Sequence, residues 1–238
     1  MTGAAGGQGE AVARRFAAEG AHVAVTDLAE ERLDALAADL GAIGVTGDVR
    51  DEQQVAAVVR TAVEQLGGLD VLYNNAGVLL ADRDAPTERL KRSVWDEVLA
   101  TNTTSVFLFC KHALPHLLAA APGSVVLNVG SVASYAGDTE YHAYAASKSA
   151  LIGFTASLAQ RYGRQGVRAN LLCPGFVATP MVQRWIDDDE AAQPILDATA
   201  LGRFGTPDEV AAYAAFLASD EAAFVTGSVV TVHGGLVK

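Results

Sequence analysis

Cysteine and positive charge are both scarce in this sequence. The 238 residues contain two cysteines, Cys110 and Cys173, which lie far apart with no Cys-x-x-Cys pair and no histidine cluster near them. The sequence therefore indicates neither a disulfide framework nor a zinc site, and we expect no metal. Lys and Arg total 17 against 28 Asp and Glu, so the formal net charge of −11 disfavours binding to nucleic acid or to an anionic membrane surface.

Long apolar runs are also missing. No stretch approaches the roughly 18 apolar residues that span a bilayer, and no basic segment followed by an apolar one opens the sequence. We therefore expect a cytoplasmic protein with no membrane anchor. Half of the residues (50%) are nevertheless hydrophobic, which is enough for one α/β domain over residues 1–238 to bury a substantial core.

Short β-branched runs alternate with longer amphipathic segments. The runs that we predict as strands cover residues 22–27, 69–73, 124–129 and 167–173. This alternation indicates parallel strands joined by crossover helices, and the nearly continuous apolar residues within the runs indicate that helices cover both faces of the sheet. The predicted fold class is therefore an α/β, single-domain, doubly wound parallel sheet.

Helix ends and helix surfaces add to this prediction. Gly20 and Gly41 stand where glycines end helices, and Thr206-Pro-Asp-Glu209 has the pattern of a capping box with proline in the first turn. The helix predicted over 143–160 has one charged residue, Lys148, and residues 106–110 are apolar on every side. Because a helix that is apolar all round is buried, we expect both helices to contact another subunit in a homo-oligomer, with a tetramer as the expected assembly.

A glycine-rich segment precedes the first predicted helix. The glycines at 3, 7 and 9 would let the backbone approach a pyrophosphate at the helix N-terminus, although a flexible turn before a helix looks the same and Gly6 blurs the register. Asp27 ends the next strand, 18 residues after Gly9, where a carboxylate can accept hydrogen bonds from a ribose. No Lys or Arg stands beside it to bind a further phosphate, so the pattern favours NAD over NADP. Asp27 could also cap the following helix.

Tyr144 and Lys148 form the most informative pair in the sequence. Four residues apart in a helix, they place a phenol and an ammonium group on one face, where the cation would favour the ionised phenol. The pair is therefore a candidate for acid–base chemistry, although an amphipathic surface helix can carry the same spacing. Ser131 follows the strand at 124–129 and could hold a substrate oxygen, with Ser134 as its rival. Tyr141 lacks a cation four residues further on, and His142 is more typical of a loop or rim.

With these residues the sequence resembles the classical short-chain dehydrogenase/reductase family over nearly its whole length. Residues 2–9 are similar to the family's Thr-Gly-x-x-x-Gly-x-Gly turn, and Asn74-Asn75-Ala76-Gly77 resembles the segment that steadies its central sheet. Ser131, Tyr144 and Lys148 match the family's catalytic triad, and Asn102 matches the asparagine that completes a tetrad. The resemblance implies a Rossmann-type fold and an NAD(H)-dependent oxidoreductase. It would interconvert a secondary alcohol and a ketone, with Tyr144 as the general acid/base.

The resemblance also implies roles for further residues. Lys148 would hold the nicotinamide ribose, and Asn102 would link Lys148 to solvent through a water; without the resemblance Asn102 reads as a buried polar residue. Asp48 and Val49 resemble a pair that contacts adenine, and residues 174–179 resemble the loop that orients the carboxamide. The predicted cofactor-binding residues are Gly3, Gly7, Gly9, Asp27, Asp48, Val49, Asn75, Ala76, Gly77, Tyr144, Lys148, Pro174, Gly175, Val177 and Thr179.

Two features depart from the family pattern. Met1 stands directly before Thr2, where family members carry an apolar strand, so we expect the first and central strand to be missing, through a mis-assigned start or a truncation. An NAD-binding protein with little or no catalysis is therefore one alternative function. His233-Gly-Gly stands where the family often has Asp-Gly-Gly, and we assign it no function.

A lid and an apolar pocket are expected after the carboxamide loop. Residues 181–203 are predicted to cover the substrate, with Met181, Trp185 and Ile186 as apolar contacts. The acidic run at 187–190 is more typical of a solvated helix face than of a metal site, and it would disfavour anionic thioesters. A 3-oxoacyl-thioester reductase is a second alternative, whereas an epimerase or dehydratase of the extended branch would need an added substrate domain, for which 238 residues leave little room.

Overall fold

Parallel strands with helices on both faces form the centre of the molecule. The computed structural model describes residues 1–236. Within them β1 to β6 cover Ala24–Asp27, Ile43–Thr46, Val71–Asn74, Val125–Val129, Arg168–Pro174 and Val229–Val232. β1 pairs with β2, and the other four strands pair in the order β3-β4-β5-β6, all in parallel. The predicted α/β fold class with a parallel sheet is confirmed.

The helices pack as two layers around these strands. Helices α1 to α5 cover Gly7–Ala18, Glu30–Leu40, Glu52–Leu66, Arg92–Leu99 and Ser105–Ala120. Helices α6 to α10 cover Ala133–Ala136, His142–Tyr162, Gln183–Ile186, Asp189–Ala198 and Pro207–Ala218. One core cluster joins α1, α2 and α10 to alternate strand residues such as Leu127, and a second joins α3, α5 and α7 to the intervening ones such as Val126. Both faces of the sheet are thus covered, which explains why its strands are apolar throughout.

Residues 1–2 lie between the two groups of strands. The Thr26 N–H donates to the Met1 carbonyl at 2.9 Å, and the Thr2 N–H donates to the Tyr73 carbonyl at 3.1 Å. Thr2 forms a single parallel bridge with Thr26. These two residues therefore stand at the position where a central strand was expected to be missing, and they connect β1 to β3 at the carboxyl end of the sheet.

The predicted strand positions are confirmed, but two strands were not predicted. β2 and β6 have four residues each, and neither contains a fully buried residue, because both strands lie at sheet edges. Their patterns therefore lack the continuous apolar run that identified the central strands. The helix-end predictions hold: Gly41 ends α2 in the left-handed conformation, Gly20 has φ +91°, and Thr206 forms a capping box with Glu209 at α10.

Helix α7 carries Tyr144 and Lys148, and eight of its 21 residues are buried. Lys148, its one charged residue between 143 and 160, is only 4% exposed. On the neighbouring helix α5, Phe107 is 48% exposed within the apolar stretch 106–110. Among the helices of residues 1–236, none combines the length and apolar character that crossing a bilayer requires.

Candidate active site

A cavity of about 950 Å³ opens at the carboxyl ends of β1, β3, β4 and β5. Ligands of open α/β sheets bind at this edge. The predicted site residues that line it are Gly3, Gly7, Asp27, Asn75, Ala76, Gly77, Ser131, Tyr144, Lys148, Pro174, Gly175, Val177 and Thr179. Gly9, Asp48, Val49 and Asn102 are absent from the lining residues that the structure describes. The topology therefore gathers most of the predicted residues around one space.

The glycine turn occupies one end of the cavity and leads into α1 at Gly7. Gly3 and Gly7 have φ values of +64° and +56°, a backbone region that favours glycine. Gly9 has no room for a side chain, because a Cβ there would lie 2.0 Å from the Gly3 carbonyl oxygen. Gly6 is extended, with φ 170°, so any residue could stand there. Backbone conformation or close packing therefore favours glycine at positions 3, 7 and 9, but not at position 6.

Asn75 and Thr2 hold this turn in place. The Asn75 side-chain amide donates to the carbonyls of Thr2 and Gly3 at 3.2 and 2.8 Å. In return, the Thr2 hydroxyl accepts the backbone N–H groups of Asn75 and Ala76, each at 3.0 Å. The segment after β3 and the glycine turn thus form one hydrogen-bonded unit beside the cavity.

The Asp27 carboxylate fixes the other side of the turn. Its Oδ2 accepts the Ala5 N–H at 2.9 Å, and its Oδ1 accepts the Leu28 and Ala29 N–H groups at 2.7 and 3.1 Å. It does not cap α2, whose N-cap residue Ala29 has no side-chain cap bond. The expectation that no basic residue accompanies Asp27 is wrong, because Arg32 also lines the cavity, with Nη1 3.8 Å from where a Cβ on Gly6 would stand. Arg32 lies at the start of α2, which places its side chain beside the glycine turn. Spacing along the sequence does not show this proximity.

Tyr144 and Lys148 stand on one face of α7, next to Ser131. The Lys148 Nζ lies 6.0 Å from the centre of the Tyr144 ring and donates to the Val129 carbonyl at 2.8 Å. The Ser131 side chain lies close enough to the Tyr144 phenol to oppose a rise in its pKa. Its rival Ser134 is buried and accepts the Ser131 N–H at 3.0 Å, so that Ser134 supports the loop from behind.

The electrostatics of the pair differ from the expectation. Burial raises the pKa of the Tyr144 phenol, and the nearby Ser131 side chain opposes this rise without outweighing it. Burial also lowers the pKa of Lys148 to about 8. In this structure Lys148 therefore does not produce the expected lowering of the Tyr144 pKa, because loss of hydration disfavours the charged forms of both groups.

Asn102 lies in a π-helical turn, Ala100–Thr104, between α4 and α5. Its side chain accepts the Val78 N–H at 2.8 Å and donates to the Val78 carbonyl and the Ser147 hydroxyl, both at 3.0 Å. A Cβ on Gly77 would stand 3.2 Å from the Lys148 Nζ and 3.3 Å from the Asn102 Oδ1. Asn102 thus holds the loop after β3, and Gly77 lies between its side chain and the Lys148 ammonium group. The role of Asn102 in a proton relay stays a prediction.

Asp48 and Val49, the residues predicted to contact adenine, are not among the described residues that line the cavity. The Asp48 carboxylate is engaged by the Arg50 guanidinium at 2.7 Å, which lowers the pKa of Asp48. Val49 is 8% exposed and belongs to the core cluster under α3. A role of these residues at the adenine stays a prediction.

Residues after the loop at 174–179 also line the cavity. Trp185 packs edge-on against Tyr141 and Phe176, with ring centres 6.1 and 6.2 Å apart, and Met181 also lines the space. Ile186, expected as a third apolar contact, is not one of the lining residues. In the acidic run, Asp188 caps α9 by accepting the Glu190 and Ala191 N–H groups. No group of residues in the described part of the chain is arranged to bind a metal ion.

Several lining residues were missed by the sequence analysis. They include Gln8, Arg32, Leu79, Asp138 and Glu140. Some of these residues lie in or near the motifs described above, but the sequence gives no other sign of their role. Their approach to the cavity depends on how loops fold over the edge of the sheet.

The cavity fits a dinucleotide at its glycine end. The turn forms a cradle that a Cβ at Gly9 would fill, and α1 presents the unpaired N–H groups of its first turn beside it. The Gln8 Oε1 is buried, with no hydrogen-bond partner among the described residues, as expected of a group that awaits a polar ligand. Residues of the glycine turn, Asp27 and Thr179 are positioned to hold such a ligand.

Comparisons with known proteins agree with this geometry. A family model described as "Enoyl-(Acyl carrier protein) reductase" matches residues 3–237. The chain is 40% identical to the 3-oxoacyl-[acyl-carrier-protein] reductase FabG of Thermotoga maritima, over 100% of this chain and 96% of that protein. It is also 40% identical to the meso-2,3-butanediol dehydrogenase of Serratia marcescens, over 99% of this chain and 92% of that protein.

Solved structures show the same relationship. A short-chain dehydrogenase/reductase from Brucella melitensis, of the glucose/ribitol dehydrogenase type, has a TM-score of 0.92 at 34% identity, over 100% of this chain and 95% of that one. Levodione reductase has a TM-score of 0.91 at 35% identity, over 98% and 95% of the two chains. The chain therefore belongs to the classical short-chain dehydrogenase/reductase family of oxidoreductases.

Proposed function

We propose that this protein is an NAD(H)-dependent oxidoreductase that interconverts a secondary alcohol and a ketone, with Tyr144 as the general acid/base. The observation that carries the proposal is the meeting of Ser131, Tyr144 and Lys148 in one cavity with the glycine turn. A protein that only binds a dinucleotide needs the glycine turn, but it does not need a phenol, a hydroxyl and a buried ammonium group beside it.

In the oxidation direction, the Tyr144 Oη takes the proton of the substrate hydroxyl while the Ser131 Oγ holds the same oxygen. A nicotinamide cofactor, when bound, supplies the hydride acceptor. Lys148 stands on the same face of α7, with its Nζ 6.0 Å from the centre of the Tyr144 ring, and we propose that its positive charge offsets part of the rise in the Tyr144 pKa that burial causes. In the reduction direction Tyr144 returns the proton to the carbonyl oxygen. Asn102 is proposed to connect Lys148 to solvent.

Two observations bear on the choice between NAD and NADP. The Asp27 carboxylate stands at the end of β1, where it can accept hydrogen bonds from a ribose and would repel an added phosphate. Arg32 is near enough to the glycine turn to offset part of that repulsion. We propose NAD as the preferred cofactor, because Asp27 is held in place by three backbone N–H groups whereas Arg32 is exposed.

A 3-oxoacyl-thioester reductase is a second candidate, favoured by the similarity to FabG of Thermotoga maritima. The charge around the cavity opposes it. Asp138 and Glu140 line the cavity, and acidic residues 187–190 stand in the covering segment. Thioester carriers bear phosphate groups, which such a rim repels. A small neutral alcohol or ketone fits the apolar contacts of Trp185 and Phe176 better.

Replacing Tyr144 by phenylalanine tests the proposal, with Tyr141→Phe as a matched control at the cavity rim. We expect Tyr144→Phe to lose turnover on a panel of secondary alcohols with NAD, while Tyr141→Phe keeps most of it. In both variants saturating NAD should still raise the melting temperature, since a ligand at 100 times its Kd stabilises by about 2.7 kcal/mol. Undiminished turnover in Tyr144→Phe, or no stabilisation of the wild type by NAD, would overturn the proposal.

We also propose that the chain forms a homotetramer through α5 and α7. Phe107 exposes an aromatic ring on α5 amid apolar neighbours, a surface that a subunit contact would cover. Light scattering should then give four times the chain mass of 24.7 kDa. If a Phe107→Asp variant still assembles to the wild-type tetramer mass in light scattering, the proposal that this surface forms the subunit contact is wrong.

A further inference from the structure

Helix α7 begins without a cap from its own sequence. Tyr141, its N-cap residue, makes no side-chain cap hydrogen bond. The first N–H groups of a helix have no partner within the helix, and leaving them unpaired in a buried place is costly. Tyr144 lies in this first turn, so the way in which these groups are satisfied bears directly on the catalytic phenol.

Asp84, in the loop between β3 and α4, supplies the missing cap. Its Oδ1 accepts the Ala143 N–H at 3.1 Å, and its Oδ2 accepts the Tyr144 N–H at 2.8 Å. Oδ1 also accepts the Ala85 N–H at 2.8 Å, and the residue is only 7% exposed. The carboxylate thus bridges the loop and the helix across 60 residues of sequence, in contact with the backbone of Tyr144 itself.

The same loop is held at two further points. The Thr87 N–H donates to the Nδ1 of His142, the first residue of α7, at 3.0 Å. At its other end, both backbone groups of Val78 bond to the Asn102 side chain. The loop from Val78 to Thr87 is therefore fastened to the proposed relay residue on one side and to the proposed acid/base helix on the other.

We propose that Asp84 is a positioning residue, which sets the place of the Tyr144 phenol by capping α7 from outside the helix. The inference rests on the function proposed for Tyr144. A carboxylate at a helix N-terminus also interacts favourably with the helix dipole, and hydrogen bonds to an ionised acceptor are among the stronger ones. A displacement of about 1 Å in a reacting group can cost about 100-fold in rate. Loss of this cap should therefore slow the chemical step.

The test compares Asp84→Ala and Asp84→Asn with Asp51→Ala as the matched control. Asp51 caps α3 in the same manner, by accepting the Gln53 and Gln54 N–H groups, and α3 contributes no described residue to the cavity. We expect Asp84→Ala to lower kcat about 10-fold to 100-fold, while KM and Kd for the cofactor stay within about twofold. Asp84→Asn should recover part of kcat, because its amide oxygen still accepts one N–H. Asp51→Ala should leave kcat unchanged.

The remaining outcomes each support or overturn the proposed role of Asp84. A folded Asp84→Ala with kcat within twofold of wild type overturns the proposal, and so does an equal loss in Asp51→Ala, which would indicate general destabilisation. If Asp84→Ala does not fold, Asp84→Asn carries the kcat comparison. If the wild type shows no turnover, the proposed function fails instead. Faster amide exchange at Ala143 and Tyr144 in the variants then supports the cap, and unchanged exchange refutes it.

Discussion

Replacing Gly9 by alanine perturbs the glycine turn at its tightest point. Gly9 lies inside α1, where alanine is intrinsically better than glycine by about 1 kcal/mol. Sequence propensity alone therefore predicts a more stable protein. The tertiary structure predicts the opposite, because the added Cβ would stand 2.0 Å from the Gly3 carbonyl oxygen and 2.7 Å from the Asn75 side-chain nitrogen.

The size of the effect follows from these distances. Ordinary contacts begin near 3.4 Å, so Gly3 and α1 would have to separate by about 1.4 Å. Overpacking a rigid place usually costs about 1–3 kcal/mol, and here the obstacle is backbone that cannot rotate away. Because the obstacle is rigid we take the upper end of this range, about 3 kcal/mol. Subtracting the gain of about 1 kcal/mol in helix propensity leaves a net loss of about 2 kcal/mol, and hence a melting temperature lower by about 4–8 °C. The opened turn should also lose its affinity for NAD.

Circular dichroism melts and calorimetric titration with NAD measure both effects. Gly6→Ala is the matched control, because its backbone is extended and a Cβ there would meet only the Arg32 Nη1, at 3.8 Å. We expect this variant to melt within about 2 °C of wild type and to bind NAD, since an alanine that fits is neutral or slightly stabilising. A Gly9→Ala protein that melts at or above the wild-type temperature and binds NAD normally would refute the reasoning.

Three further perturbations test other parts of the site. The pKa of Lys148, lowered by burial to about 8 from 10.5, means that the folded state binds this proton less well than the unfolded state. This costs about 3 kcal/mol of stability below pH 8, and the cost disappears as the pH rises to about 10.5. Lys148→Met should therefore lose activity yet melt higher than wild type at pH 7, and melts at pH 7 and 10.5 should show the difference closing. Asp27→Asn should raise the ratio of kcat/KM with NADP to that with NAD about tenfold, because Arg32 then faces an added phosphate without an opposing carboxylate; an unchanged ratio in steady-state assays would contradict this. Trp185→Ala should raise KM for an apolar ketone severalfold while the Kd for NAD is unchanged, and equal effects on both would place Trp185 at the cofactor instead.

Local signals in the sequence predicted the central part of the fold. The strands at 124–129 and 167–173 were found because they are buried on both faces and therefore apolar at every position. The edge strands β2 and β6 were missed, since strands with one exposed face and four residues resemble loops in composition. The sequence did not predict that residues 1–2 bridge the two groups of strands, and only the structure shows it.

For the glycine turn and the Tyr144–Lys148 pair, the sequence by itself was sufficient. Left-handed φ values at Gly3 and one helical turn between Tyr144 and Lys148 are local properties, so spacing along the chain decides them. Tertiary structure alone decided which distant groups meet these residues. It placed Asp84 under the first turn of α7 and Arg32 beside the glycine turn. It also raised the pKa of Tyr144 by burial, because loss of hydration depends on every element packed around a group and on no single segment of sequence.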